Sequence, residues 1–130
     1  MSTNIPGNLK YTKEHEWALV EGDTITVGIT DFAQSALGDI VFVELPAVGE
    51  QLERGNRFGT VESVKAVEEI YAPLSGTVLA VNQAVIDQPE QLHHDPYGAG
   101  WLLEIPAREP RQFDDLIDAA SYTTKLEGAA

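Results

Sequence analysis

Of the four lysines in the chain, Lys10, Lys13 and Lys125 lie near the termini, and Lys65 alone stands inside the body. Its neighbours are Glu62-Ser63-Val64 on one side and Ala66-Val67-Glu68-Glu69 on the other, where a hairpin turn would project the amine into solvent beside carboxylates. The chemistry on offer is that of an accessible primary amine. Composition alone reads it as a solvated turn lysine, since lysines are mostly exposed. His15, His93 and His94 are the only imidazoles, and imidazole is a common metal ligand. Adjacent histidines on a strand would point to opposite faces, His15 is remote in sequence, and no thiolate completes a set, so no metal site is expected. His15 with Glu14 or Glu16 would be the material for acid/base catalysis, which needs a cleft and tuned pKa values that a linear string does not display. Gly98 and Gly100 form no phosphate cradle, because no strand-to-helix glycine loop ends in Lys followed by Ser or Thr.

Composition narrows the field. The chain has 130 residues, 43% of them hydrophobic, which suffices for one compact core. Eight Lys and Arg against twenty-one Asp and Glu leave a net charge of −13, which repels phosphate backbones. Nucleic acid is therefore not an expected partner. No apolar run approaches the roughly 18 to 20 residues that span a bilayer, and the start lacks a basic-then-apolar secretory pattern. We therefore expect no membrane partner and a bacterial cytoplasmic location. The mitochondrial matrix is the less favoured alternative, because no Arg-rich, acid-poor transit segment precedes the domain. The absence of cysteine excludes disulfides and any native thiol nucleophile, so sulfur chemistry here would require an added group.

Short strands must position these residues. Trp17–Val20 and Thr24–Ile29 flank Glu21-Gly22-Asp23 as a hairpin. Thr30 or Asp31 can cap a two-turn helix over Phe32–Leu37, which Gly38 stops. Asp39–Leu45, Arg57–Ser63, Ala66–Tyr71, Thr77–Asn82 and Trp101–Ile105 read as further strands, with Val64-Lys65 as the turn between the second and third of these. Residues 83–100 are less regular, with one helical turn expected near Glu90–Leu92. Phe113, Leu116, Ile117 and Ala120 repeat at helical spacing, and a terminal helical segment is expected at about 111–127, restarting near Ser121. The fold class that follows is mainly β, an antiparallel sandwich or flattened barrel with short peripheral helices and a C-terminal helix, in a single domain 1–130 with its core at about 9–106.

The surrounding words sharpen this reading. Tyr11-Thr12-Lys13-Glu14-His15-Glu16-Trp17, Val27-Gly28-Ile29-Thr30-Asp31, Leu37-Gly38-Asp39-Ile40-Val41-Phe42-Val43-Glu44-Leu45-Pro46 and Val61-Glu62-Ser63-Val64-Lys65-Ala66 resemble the H proteins of the glycine cleavage system. Tyr71-Ala72-Pro73-Leu74-Ser75-Gly76, Val81-Asn82, Pro96-Tyr97 and Gly100-Trp101 continue the match in the same order. The resemblance implies a lipoyl/biotinyl-type flattened barrel, or hybrid barrel-sandwich, and a lipoyl group joined in amide linkage to Lys65. It implies a non-catalytic carrier that takes the aminomethyl group of glycine from a glycine decarboxylase (P protein) to an aminomethyltransferase (T protein), and electrons to dihydrolipoyl dehydrogenase (L protein). A monomer is expected of a carrier that visits several enzymes.

By the same resemblance, Glu16 belongs to a cleft that receives the loaded arm, and Glu62, Ser63, Val64, Ala66 and Glu69 are the candidates for recognition by lipoylating enzymes. Two departures stand out. The family's small residue, serine and aspartate after Lys-Ala are here Val67, Glu68 and Glu69, and a histidine frequent after Thr-Asp is here Phe32, read as a packing residue. A biotin carrier is the nearest rival, disfavoured because Val64 and Ala66 occupy places where biotin carriers have methionine. An H-like donor of lipoyl groups to other complexes is a second reading. An acid/base enzyme at His15 and a plain interaction module are the alternatives from other classes.

Overall fold

The computed structural model describes residues 5–107 and 113–129. The chain enters through β1 (Lys10–Tyr11) and the hairpin β2 (Glu16–Glu21) and β3 (Thr24–Ile29), turned at Gly22 with φ 63°. Helix α1 (Asp31–Leu37) is capped by Thr30, whose Oγ1 accepts from the Ala33 amide at 3.2 Å, and it stops at Gly38, where φ is 78°. There follow β4 (Ile40–Glu44), β5 (Gln51–Leu52), β6 (Arg57–Ser63), β7 (Val67–Tyr71), β8 (Gly76–Thr77) and β9 (Ala80–Val81). Two short helices, α2 (Gln83–Asp87) and α3 (Gln91–His94), precede β10 (Leu103–Pro106), and α4 (Ala119–Ala129) ends the described chain.

All strand pairs are antiparallel, in a five-stranded sheet ordered β1-β2-β3-β10-β9, a three-stranded sheet β4-β6-β7 and the pair β5-β8. Alternation along β3 sends Ile25, Val27 and Ile29 into a core shared with Val43, Val61 and Ile70 of the three-stranded sheet. This is the mainly β, flattened arrangement expected from the sequence. A second cluster, Leu9, Tyr11, Trp17 and Tyr122, covers the opposite face of β2, so Glu16, Trp17 and Ala18 are all buried in succession. Trp17 lies opposite Gly28, and a Cβ at 28 would fall 2.6 Å from the indole. Gly28→Ala is therefore expected to displace the ring and its Nε1 hydrogen bond to the Pro96 carbonyl (3.0 Å), lowering stability in urea unfolding by about 1–3 kcal/mol. An unchanged midpoint would show that the indole slides aside freely.

Three expectations need correction. The strand expected over Thr77–Asn82 is two strands, because the Val78 amide bonds Glu50 O while the Leu79 amide bonds Glu104 O, and the chain changes sheets there. Residues 83–100 hold two helices, α2 and α3, of five and four residues, too short to show a period; Asn82 caps α2, its Oδ1 accepting from the Ala84 amide at 3.2 Å. In the terminal segment, residues 111 and 112 lie outside the described residues. The helix does not run through Ile117, which instead exchanges both backbone hydrogen bonds with Tyr11, at 2.7 and 2.8 Å. Asp118 then accepts from the Ser121 amide at 2.8 Å, and α4 begins beside it.

Candidate functional site

Strands β6 and β7 of the three-stranded sheet form a hairpin, and its connection is Val64-Lys65-Ala66. Ser63 shapes that connection from within: it is buried, its amide donates to Ala66 O at 2.8 Å, and its Oγ both donates to Ala66 O and accepts from the Ala66 amide, each at 3.1 Å. The Val64 amide donates to Asp39 O at 3.0 Å, which fastens the turn to the start of β4. The tip is thus stiff, and Val64, Lys65 and Ala66 are all exposed. The Lys65 stem runs back over Gly38, its Cε 3.6 Å from where a Cβ at 38 would sit. Glu62 is half-buried. Glu69 is exposed and meets Arg57 Nε at 3.8 Å and the donating Tyr71 hydroxyl at 3.0 Å.

Beside the hairpin lies a groove of about 270 Å³ between α1 and β7. Phe32, Ala33, Ala36 and Leu37 form its apolar wall, Ala66 and Glu68 its hairpin side, and Glu16 its inner end. Glu16 is only 2% exposed. Thr12 Oγ1 donates to Glu16 Oε1 at 2.5 Å and the Tyr71 amide donates to Oε2 at 3.2 Å, so the carboxyl ties the 12–16 turn to the end of β7. Burial pushes its pKa up to about 7 against the lowering effect of those two hydrogen bonds. A second groove of about 700 Å³, lined by Thr12, Arg54, Tyr71 and Asp115, opens on the other side of Glu16.

His15 sits on the rim of the first groove with φ 72°, the one non-glycine residue at positive φ among those described. Its ring lies 4.7 Å from that of Phe32, and its Nδ1 is 2.8 Å from the Tyr122 hydroxyl, which is also 2.8 Å from Thr30 Oγ1. Desolvation lowers the His15 pKa, which favours the neutral ring. The acid/base pairing of His15 with Glu14 or Glu16 is not what the structure shows: Glu16 engages Thr12, Glu14 is exposed, and the partner of His15 is Tyr122. Tyr122 carried no signal in the sequence, because it reaches the site only through tertiary contacts, whereas Thr12 is four residues from Glu16 and its side-chain bond to that carboxyl is local.

His93 and His94 lie in α3 and not on a strand. His93 Nδ1 meets Gln34 Oε1 at 2.5 Å, and its Nε2 accepts from the Ile40 amide at 3.2 Å, a clamp between α3, α1 and β4. Among the described residues, no three His, Asp or Glu side chains converge to hold a metal ion, and no helix is long and apolar enough to cross a membrane.

A stiff β framework that holds one lysine at an exposed hairpin tip, beside a groove walled by apolar side chains, defines a presenting scaffold of the carrier class. The chain belongs to the glycine cleavage H-protein family, whose model matches residues 9–129. It is accordingly a carrier subunit of the glycine cleavage system and not an enzyme. It is similar to the glycine cleavage system H protein of Synechococcus sp. (strain RCC307), 57% identical over 130 residues and covering 100% of both chains. The H protein of Myxococcus xanthus is 53% identical over 129 residues, 99% of this chain and 100% of that one. A crystal structure of the H protein from Mycobacterium marinum superposes with a TM-score of 0.86 at 42% identity, covering 95% of this chain and 99% of that one.

Proposed function

We propose that Lys65 carries a lipoyl group in amide linkage and that residues 1–130 act as one carrier domain, ferrying the aminomethyl group of glycine from the decarboxylase to the aminomethyltransferase and electrons to dihydrolipoyl dehydrogenase. The observation that carries this reading is the exposed Lys65 at a tip stiffened by Ser63 and fastened to Asp39. The dithiolane, when bound, supplies the sulfur chemistry that a chain without cysteine lacks. Phe32, Ala33, Ala36 and Leu37 fit its hydrocarbon stem, and they lie next to the hairpin that bears the lysine.

The chain's own residues then have defined tasks. The stiff tip fixes where the arm is rooted, and tethering replaces free diffusion by a local effective concentration at each partner. Glu16, at the inner end of the groove, offers negative charge toward a protonated amine brought there, and the apolar wall keeps water from it. Glu62, Val64, Ala66 and Glu69 present the tip to the attaching enzyme, whereas buried Ser63 contributes through the shape of the turn. The bacterial cytoplasm is the expected place of work and a monomer the expected state, with no nucleic-acid or membrane partner.

Intact-mass analysis of protein incubated with a lipoate-attaching ligase, lipoate and Mg-ATP tests the reading. One lipoyl increment is expected, located to Lys65 by peptide fragmentation. An unmodified chain, or an increment elsewhere, would overturn it. Biotin in place of lipoate, with a biotin-attaching ligase, is expected to give no increment.

A further inference from the structure

The C-terminal helix reaches the groove beside the lysine hairpin through one side chain. Tyr122, on the first turn of α4, is 1% exposed and stacks on Tyr11, with ring centroids 4.7 Å apart and planes within 6° of parallel. Its hydroxyl lies 2.8 Å from His15 Nδ1 and 2.8 Å from Thr30 Oγ1. His15 belongs to the 12–16 turn, which carries Glu16, and Thr30 caps α1, which carries the apolar wall, so one hydroxyl joins two sides of the groove. The backbone joins them as well: the Thr30 amide donates to His15 O at 3.0 Å, and the His15 amide donates to Thr12 O at 3.1 Å. His15 needs such restraint. Its φ of 72° is one that side-chain-bearing residues rarely adopt, and a residue persists there only where its surroundings fix it. So held, the imidazole packs 4.7 Å from the Phe32 ring, and the two rings form one stretch of the groove wall near Glu16.

We infer that Tyr122 is a positioning residue for the groove: by holding His15 against Phe32 it keeps water from the aminomethyl group brought to Glu16. The inference rests on Lys65 carrying the arm and on the groove receiving it. What the wall guards against follows from the chemistry of a carbon bonded to both sulfur and nitrogen. An aminomethyl thioether and one water give a thiol, formaldehyde and ammonia. The C–S bond breaks with its electron pair on sulfur, which takes a proton, the water oxygen becomes the carbonyl oxygen, and nitrogen leaves as ammonia. The reaction needs water at the carbon and a lone pair on a neutral nitrogen. A closed wall limits the first, and a carboxylate that holds the ammonium form limits the second. Tyr122 touches neither the carbon nor the amine, so its effect passes through His15.

The test compares Tyr122→Phe, His15→Asn, their double variant and Val85→Ala with the wild type. Phenylalanine keeps the ring and its stacking and removes only the hydroxyl. Asparagine tolerates positive φ but is too short to pack as the imidazole does. Val85 is fully buried on α2 and does not line the groove, so its truncation supplies a loss of stability unrelated to it. Each lipoylated protein is loaded from labelled glycine by the decarboxylase and separated from it, and release of labelled formaldehyde is followed at neutral pH without the aminomethyltransferase. Tyr122→Phe and His15→Asn are expected to release it about tenfold faster than the wild type, the worth of about one hydrogen bond. Val85→Ala should stay within about twofold of the wild type, and the double variant within about twofold of His15→Asn, because residues acting through one contact are not additive. In the unmodified proteins, Tyr122→Phe should speed hydrogen exchange about tenfold more at the Thr30 amide than at the Leu102 amide, which bonds Val27 O in the core sheet. If the wild type takes no lipoyl group, or releases formaldehyde as fast as free lipoamide loaded in the same way, the carrier arm or its shelter falls and this inference with it. If the wild type retains its load and Tyr122→Phe matches it, matches Val85→Ala, or multiplies the effect of His15→Asn, the carrier stands and the positioning role is overturned. A Tyr122→Phe chain that does not fold would make the hydroxyl a structural group only and overturn it equally.

Discussion

Lys65→Arg is expected to fold like the wild type, to gain no mass with the attaching ligase, and to reduce glycine cleavage by the reconstituted system to what free lipoate of equal concentration supports, about a hundredfold or more below wild type. Folding should survive because the side chain is exposed and the turn is held by Ser63, Ala66 and Asp39 through bonds that do not involve the lysine. Arginine keeps the positive charge and most of the length. It cannot take the acyl group, because the guanidinium stays protonated and its nitrogens are delocalised. The measurement is coupled release of carbon dioxide from labelled glycine, with urea unfolding as the control for folding. Wild-type activity in the variant would return the molecule to the plain interaction module considered from its sequence.

Glu16→Gln is expected to remove a pH dependence of stability centred on the groove. Burial raises the Glu16 pKa from an ordinary 4.5 to about 7, so between those values the native state holds a proton that the unfolded chain has released. Stability from this group is therefore complete below about pH 4.5 and is lost as pH rises through about 7. The full swing is about 3 kcal/mol, since each tenfold difference in proton affinity between the folded and unfolded chain is worth about 1.4 kcal/mol. Glutamine keeps the shape and an oxygen able to accept from the Tyr71 amide or the Thr12 hydroxyl, but it does not titrate. Urea unfolding of both proteins at pH 4 and pH 8.5 should show the wild type losing about 3 kcal/mol relative to Glu16→Gln across that interval. A constant difference would mean that the carboxyl ionises normally and that the groove is wetter than its walls indicate. A cation held beside Glu16 would favour its ionised form, so a loaded arm should move the same transition to lower pH.

Much of this molecule was readable in advance because local rules and tertiary demands agree. The β2-β3 hairpin, α1 with Thr30 and Gly38 at its ends, and the β6-β7 hairpin with Lys65 at its turn each have alternation, capping or turn chemistry that points one way. Where they disagree, the tertiary context prevailed. Ile117 has the spacing of a helix residue, yet Tyr11 offers it a strand partner, and two backbone hydrogen bonds hold it extended. Val78-Leu79 reads as mid-strand, yet its two amides bond different strands.

The candidate site divides along the same line. An exposed lysine in a short turn between two β-rich runs follows from nearest neighbours, so its place at the turn was legible in residues 57–71, whereas the bond from the Val64 amide to Asp39 O that fastens the turn was not. The groove was not, because its walls come from α1, β7 and the 12–16 turn, segments up to about 55 residues apart that no periodicity relates. Only the folded chain brings Tyr71 to Glu16, and Tyr122 to His15 and Thr30. A pKa displaced by burial is a property of that enclosure, since the same glutamate in an extended chain is fully hydrated. Residue type therefore chose the chemistry, and three-dimensional packing chose the environment in which that chemistry operates.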